Sequence, residues 1–269
     1  VSLNVSHYQN EIVRLSGNED EFMEGGGYRQ FNYTRAEEGT AFPSFYGYKV
    51  EGIFQSEEEA NNHPPAFGEN GDYNREGVFK FKDVNGDNVI NADDRTYIGT
   101  PHPDFTAGLN LNASYKGFRI NARLYSSYGN EVVNTVRRMI DFNKFQGGRS
   151  YRRLYESYGS PYLDNNENAT MPMARVDDEA DARPSSYYIE DASFLRMQNL
   201  RLSYDLINLL NSNSGFNNLT IFGQATNLFT ITNYSGLDPE LGAQGMNRGV
   251  DKGAWPTPRQ FMFGIKVGL

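Results

Sequence analysis

The sequence predicts an all-β protein, about six antiparallel strands of a membrane-spanning barrel wall joined by polar connections. Three observations lead there. Aromatic residues make up 14% of the chain, with 18 Tyr, 18 Phe and one Trp, although the mean hydropathy is a hydrophilic −0.66. Many rings in a polar chain suit sheets with one apolar and one wet face, because successive strand side chains point to opposite sides. Apolar and polar residues also alternate at period two in several runs, and the connections between those runs are alternately short and long.

The elements follow in chain order. Val1, Leu3 and Val5 begin an alternating run at the first residue, which predicts that the chain is the C-terminal fragment of a longer polypeptide. A long connection, residues 8–103, comes next. Phe105, Ala107, Leu109, Leu111, Ala113 and Tyr115 then alternate with Thr106, Gly108, Asn110, Asn112 and Ser114. Lys116-Gly117 makes a tight turn into Phe118, Ile120, Ala122 and Leu124, set against Arg119, Asn121 and Arg123, a hairpin with matched faces.

A second long connection, residues 129–194, leads to Leu200, Leu202, Tyr204 and Leu206 against Asn199, Arg201, Ser203 and Asp205. A polar turn at residues 211–215 returns the chain through Leu219, Ile221, Gly223 and Ala225. After a third long connection, residues 230–258, the last run is Phe261, Phe263, Ile265, Val267 and Leu269. Such strands cross a bilayer when tilted, whereas no stretch reaches the roughly 18 apolar residues of a membrane helix. A soluble sandwich alternates in the same way but spaces its turns evenly, and here the spacing is uneven.

Composition narrows the function. A net charge of −9 leaves no basic stripe for nucleic acid, and the absence of cysteine removes disulfide and thiolate-metal frameworks. His7, His63 and His102 are scattered without zinc spacing, and no nucleophile-elbow, zinc-protease or phosphate-loop motif occurs, so no enzyme is expected. The sharpest chemical pattern runs from Asp83 to Asp94. Asp83, Asn85, Asp87, Asn91 and Asp94 supply side-chain oxygens at positions 1, 3, 5, 9 and 12 of a 12-residue window, with the Val89 carbonyl at position 7. That spacing wraps a hard cation such as Ca2+, in a structural role. The alternative is an Asp/Asn-rich turn that bonds its own backbone. Arg137, Arg138, Tyr151, Tyr155, Tyr158 and Tyr162 make the second long connection rich in guanidinium groups and rings, suited to face a ligand or a covering partner, or to pack the loops together.

Several stretches, taken in order, resemble the SusC/RagA-type TonB-dependent transporters of Bacteroidetes outer membranes. They are Phe45-Tyr46-Gly47-Tyr48-Lys49-Val50-Glu51-Gly52-Ile53-Phe54-Gln55, Phe81-Lys82-Asp83-Val84-Asn85-Gly86-Asp87 and Ile98-Gly99-Thr100-Pro101-His102-Pro103-Asp104-Phe105. Later come Tyr188-Ile189-Glu190-Asp191-Ala192-Ser193-Phe194-Leu195-Arg196, Asn227-Leu228-Phe229, Gly236-Leu237-Asp238-Pro239-Glu240 and Trp255-Pro256-Thr257-Pro258-Arg259. The resemblance implies the last strands of a barrel of about 22, with cell-surface loops, a SusD/RagB-like lipoprotein as lid, and import of oligosaccharides or peptides driven by TonB. The plug domain and TonB box would lie in the part that is absent. Ending on Leu269 departs from the aromatic residue usual in such barrels. Rival readings are a secreted soluble β-protein that binds glycans with a calcium-stabilised loop, and a glycan-degrading enzyme with a carboxylate pair in a cleft.

Overall fold

A computed structural model describes residues 1–15, 21–67, 73–142, 151–176, 180–207 and 217–268. Six long strands form one antiparallel wall: β1 (Ser2–Ser6), β2 (Phe105–Tyr115), β3 (Phe118–Tyr128), β4 (Phe194–Asp205), β5 (Asn218–Thr226) and β6 (Gln260–Gly268), hydrogen-bonded in that order. A short seventh strand, Thr230–Thr232, pairs with the loop-side end of β4. All six expected strands are therefore present. Leu269 and the expected turn at 211–215 lie outside the described residues.

The alternation in sequence becomes two faces because the register keeps like residues side by side. Ala113, Ile120, Leu202, Gly223 and Phe263 form one row across β2 to β6, and Tyr115, Phe118, Tyr204, Ile221 and Ile265 form the next. The opposite face carries Asn112, Asn121, Arg201, Gln224 and Met262 in one row, and Asn110, Arg123, Asn199, Thr226 and Gln260 in another. The β2–β3 hairpin is set by Lys116 (φ 46°) and Gly117 (φ 88°), both left-handed, as a two-residue turn matched to strand twist requires. Glycine takes that backbone at no steric cost, and lysine bears the strain.

Strict alternation breaks once. Between Met197 and Asn199 the β3–β4 register shifts, so that Phe194 faces Ser127 and Arg196 faces Tyr125 on the polar side. Counting back from Asn199 by twos would have put Arg196 among the apolar residues; the extra residue in the bulge returns it to the wet face.

The long connections are not irregular. Phe22–Gly25, Thr34–Glu37, Ser44–Gly47 and Thr96–Gly99 make a four-stranded sheet, and Val50–Ile53 pairs with Phe79–Phe81. Glu131–Asn134 pairs antiparallel with Ile189–Asp191 and parallel with Val250–Asp251, tying the second and third connections together. A helix over Glu57–Asn62 starts at Ser56, whose hydroxyl accepts from the Glu59 amide at 3.2 Å, and one over Thr135–Asp141 starts at Asn134. These segments hold the chain's principal hydrophobic core. Phe45, Phe54, Phe79, Phe81, Phe142 and Tyr188 are almost wholly buried there, with rings meeting mostly edge to face. The wall has no comparable core: Phe263 is 82% exposed, Ile265 68% and Phe261 62%.

Candidate transport wall and loop cluster

Between the wall and the folded connections, the polar face is spanned by a charged latch. Arg196, 3% exposed, donates to Asp238 at 2.5 Å, to Glu240 at 2.6 Å and to the Thr230 hydroxyl at 2.9 Å. Burial raises the Asp238 carboxyl, but the amides of Thr257 and Glu240 and the guanidinium outweigh it and hold the group below the ordinary aspartate range. The latch therefore fixes the 230–258 connection to β4, and both motifs that bracket it, Gly236–Glu240 and Trp255–Arg259, contribute.

Beside it lies a cleft of about 280 Å3, bounded by Thr106 and Tyr125 from the wall and Tyr8, Asn130, Glu131 and Arg248 from the connections. Arg248 donates to the Tyr8 hydroxyl at 2.7 Å; Tyr8 in turn donates to His102 Nδ1 at 3.0 Å, and His102 Nε2 donates to the Phe42 carbonyl at 2.8 Å. That chain of bonds needs a neutral imidazole, and burial lowers the His102 pKa accordingly. Burial also raises Glu131, whose carboxylate accepts from the Thr100 amide at 2.8 Å.

Of the six loop residues expected to face a ligand or lid, three point inward. Arg137 is 8% exposed, bonds Asp141 at 3.2 Å and the Tyr187 carbonyl at 2.9 Å, and stacks 4.1 Å from the Tyr187 ring. Arg138 is 1% exposed, donating to the Ala182 carbonyl at 2.9 Å and lying 4.1 Å over Phe31. Tyr158 is buried, its hydroxyl 2.8 Å from the Glu76 carboxylate, to which it donates, and 3.1 Å from the Gln55 carbonyl. Burial first, then the Glu76 carboxylate, pushes its hydroxyl pKa up. The expectation is corrected for these three: they pack the connections. Tyr151, Tyr155 and Tyr162 do face outward, in a row with ring centroids 4.6 and 5.1 Å apart.

The Asp83–Asp94 turn is built from its own polar side chains. Asp83 accepts from the amides of Gly86 and Asn88, Asn85 from Asp87, Asp87 from Val89, and Asn91 from Asp93. Asp94, fully buried, closes the turn by accepting from Val84 and Asn91, both at 2.8 Å. Among the described residues no three His, Asp or Glu side chains converge as a metal-ligand group. Those bonds make the turn self-supporting; a calcium ion held by Asp83, Asn85, Asp87, Val89, Asn91 and Asp94 would share oxygens already bonded to backbone.

No family model matches the chain. Its sequence is 28% identical over 275 residues to TonB-dependent receptor P3 of Formosa agariphila, covering 99% of this chain and 26% of the receptor. It is 27% identical over 275 residues to TonB-dependent receptor SusC of Bacteroides thetaiotaomicron, covering 99% of this chain and 24% of SusC. The fold matches a chain of the RagAB peptide transporter with a TM-score of 0.71 at 23% identity, over 98% of this chain and 26% of that one. The chain thus spans about a quarter of the length of these relatives. The chain is therefore similar along nearly its whole length to a part of TonB-dependent receptors that include SusC, and its two-faced antiparallel wall with folded connections shares the fold of the matched part of the RagAB transporter.

Proposed function

We propose that this segment forms part of the wall of an outer-membrane importer, with its apolar face on lipid, its polar face lining the lumen and its connections on the cell surface. The observation that carries the reading is the height of the apolar face. Phe105 and Tyr128 stack at one rim, 5.2 Å between centroids, and Tyr115 and Phe118 pair at the other, ten residues along β2. Ten steps at about 3.4 Å, tilted by about 40°, give roughly 26 Å, the height of the apolar band between aromatic girdles in such barrels. A soluble sandwich would bury Phe261, Phe263 and Ile265, which here stand exposed.

The cargo is an oligosaccharide or a peptide: SusC and the RagAB peptide transporter are among the relatives that support this. A SusD/RagB-like lipoprotein would cover the connections, and TonB would engage the part of the parent outside this segment. The exposed row Tyr151, Tyr155 and Tyr162 is offered to cargo or lid. Fractionation of the parent protein tests the reading. Recovery in the outer-membrane pellet with a need for detergent is expected; a freely water-soluble monomer would overturn it.

A further inference from the structure

The third connection passes between the other two at Met246–Asp251 and is gripped there from both sides. On the first-connection side, the buried Thr34 hydroxyl donates to the Met246 carbonyl at 2.8 Å. Met246 itself packs on Gly25, where a Cβ would stand 2.5 Å from the methionine Cβ. Gly249 reaches further in. With φ at 74° and no room for a side chain, it rests on Pro101 and Phe45, whose atoms a Cβ there would meet at 2.5 and 2.7 Å. On the second-connection side, Val133 donates its amide to the Gly249 carbonyl at 2.8 Å, and Val250 and Asp251 pair in parallel with Val133 and Asn134. The buried Thr135 hydroxyl then donates to the Asp251 carbonyl at 2.5 Å.

Val250 belongs to the same buried cluster as Phe45 and Val133, so the wedge is part of the core that the connections share. Interiors are packed as densely as organic crystals, and a wedge in such a core cannot leave without opening voids on both flanks. The first and second connections therefore lean on one common neighbour. Every contact named lies within the segment, so the rest of the parent can add neighbours to it but takes none of these away.

We propose that Met246–Asp251 is a key that couples the first and second connections, so that both open when it is withdrawn. Whatever steadies one of them, cargo or a covering partner, then steadies the other. Hydrogen exchange of the full-length parent in detergent tests this with two substitutions that each touch one flank. Thr34→Val and Thr135→Val each leave a buried carbonyl of the key without its hydroxyl donor. The reporters lie away from the key. In the first connection it is the Ile90 amide, bonded to the Pro65 carbonyl at 2.8 Å, and in the second the Tyr158 amide, bonded to the Met171 carbonyl at 2.9 Å. Each substitution is expected to speed exchange about tenfold or more at both reporters, with the β2–β3 hairpin unchanged. Gly249→Val, which expels the key from both flanks, should speed both reporters together with residues 246–251. Effects confined to the substituted flank would overturn the proposal. So would a Gly249→Val variant that quickens only the third connection, which would mean that the core couples the other two without the key. A rise in the hairpin as large as at the reporters overturns it as well, since the whole barrel would then have been loosened. The coupling holds whether or not the parent is an importer, so it fails independently of that reading.

Discussion

Placing one arginine on either face of the wall separates a lipid-facing barrel from a soluble sandwich. Leu200 lies in the apolar row between Ala122 and Ala225, and Thr226 lies in the polar row between Asn199 and Gln260. Leu111, in the Leu200 row, is six residues from the Phe105 rim and four from the Tyr115 rim, so Leu200 sits near the middle of the apolar band. Arginine at the bilayer midplane of such barrels costs about 2 to 4 kcal/mol, falling toward the interfaces. Leu200→Arg should therefore lower the folding equilibrium by about 30- to 700-fold. Thr226→Arg exposes its charge to water and should stay within about 0.5 kcal/mol. The assay is reversible guanidinium unfolding of the parent barrel in phospholipid vesicles, followed by tryptophan fluorescence. Equal damage from the two substitutions, or a silent Leu200→Arg, would refute the assignment of faces.

Other perturbations act on the connections. Arg196→Ala leaves Asp238 buried without its cation and should cost about 3 to 5 kcal/mol locally, read as faster amide exchange across residues 230–258. Asp238 titrates below its ordinary range, so its contribution is complete above the unfolded aspartate pKa and fades as pH falls through the depressed value. Exchange in that connection should quicken at that acid end. Asp94→Ala strands the amides of Val84 and Asn91 and should destabilise the first connection by about 1 to 3 kcal/mol per amide. Removing calcium from the wild type tests the cation directly: a drop in melting temperature would place calcium in the turn, and no change is expected of a turn closed by its own backbone bonds. Alanine at Tyr151 and Tyr162 should reduce cargo or lid binding without loss of stability, whereas Tyr158→Ala should destabilise the fold and alter binding only through it.

The wall was legible because its signal is local. Period two in Phe105–Tyr115 and Phe118–Tyr128 needs only neighbouring residues, and Lys116-Gly117 names the turn between them. The same rule carried back to Arg196 would put it on the wrong face, since a bulge is invisible to counting; an arginine at an apolar parity is the available clue. The sheets inside the connections were not legible. Their strands run to two to four residues and pair with distant partners, as Phe45 does with Gly99 and Val133 with Val250. Arg137 and Arg138 looked like a cationic surface because burial is decided by what packs over them. The four-residue spacing of Arg137 and Asp141 hinted at the internal ion pair.

Single cysteines at Leu109, Asn110, Leu111 and Asn112 of the parent transporter, each carrying a spin label in lipid vesicles, report lipid or water at successive positions of one strand. This segment itself contributes no cysteine background. The account predicts oxygen-accessible, lipid-facing labels at 109 and 111 and water-accessible labels at 110 and 112. Labels at 109 and 111 shielded from both lipid and water, as inside a closed protein core, would contradict it.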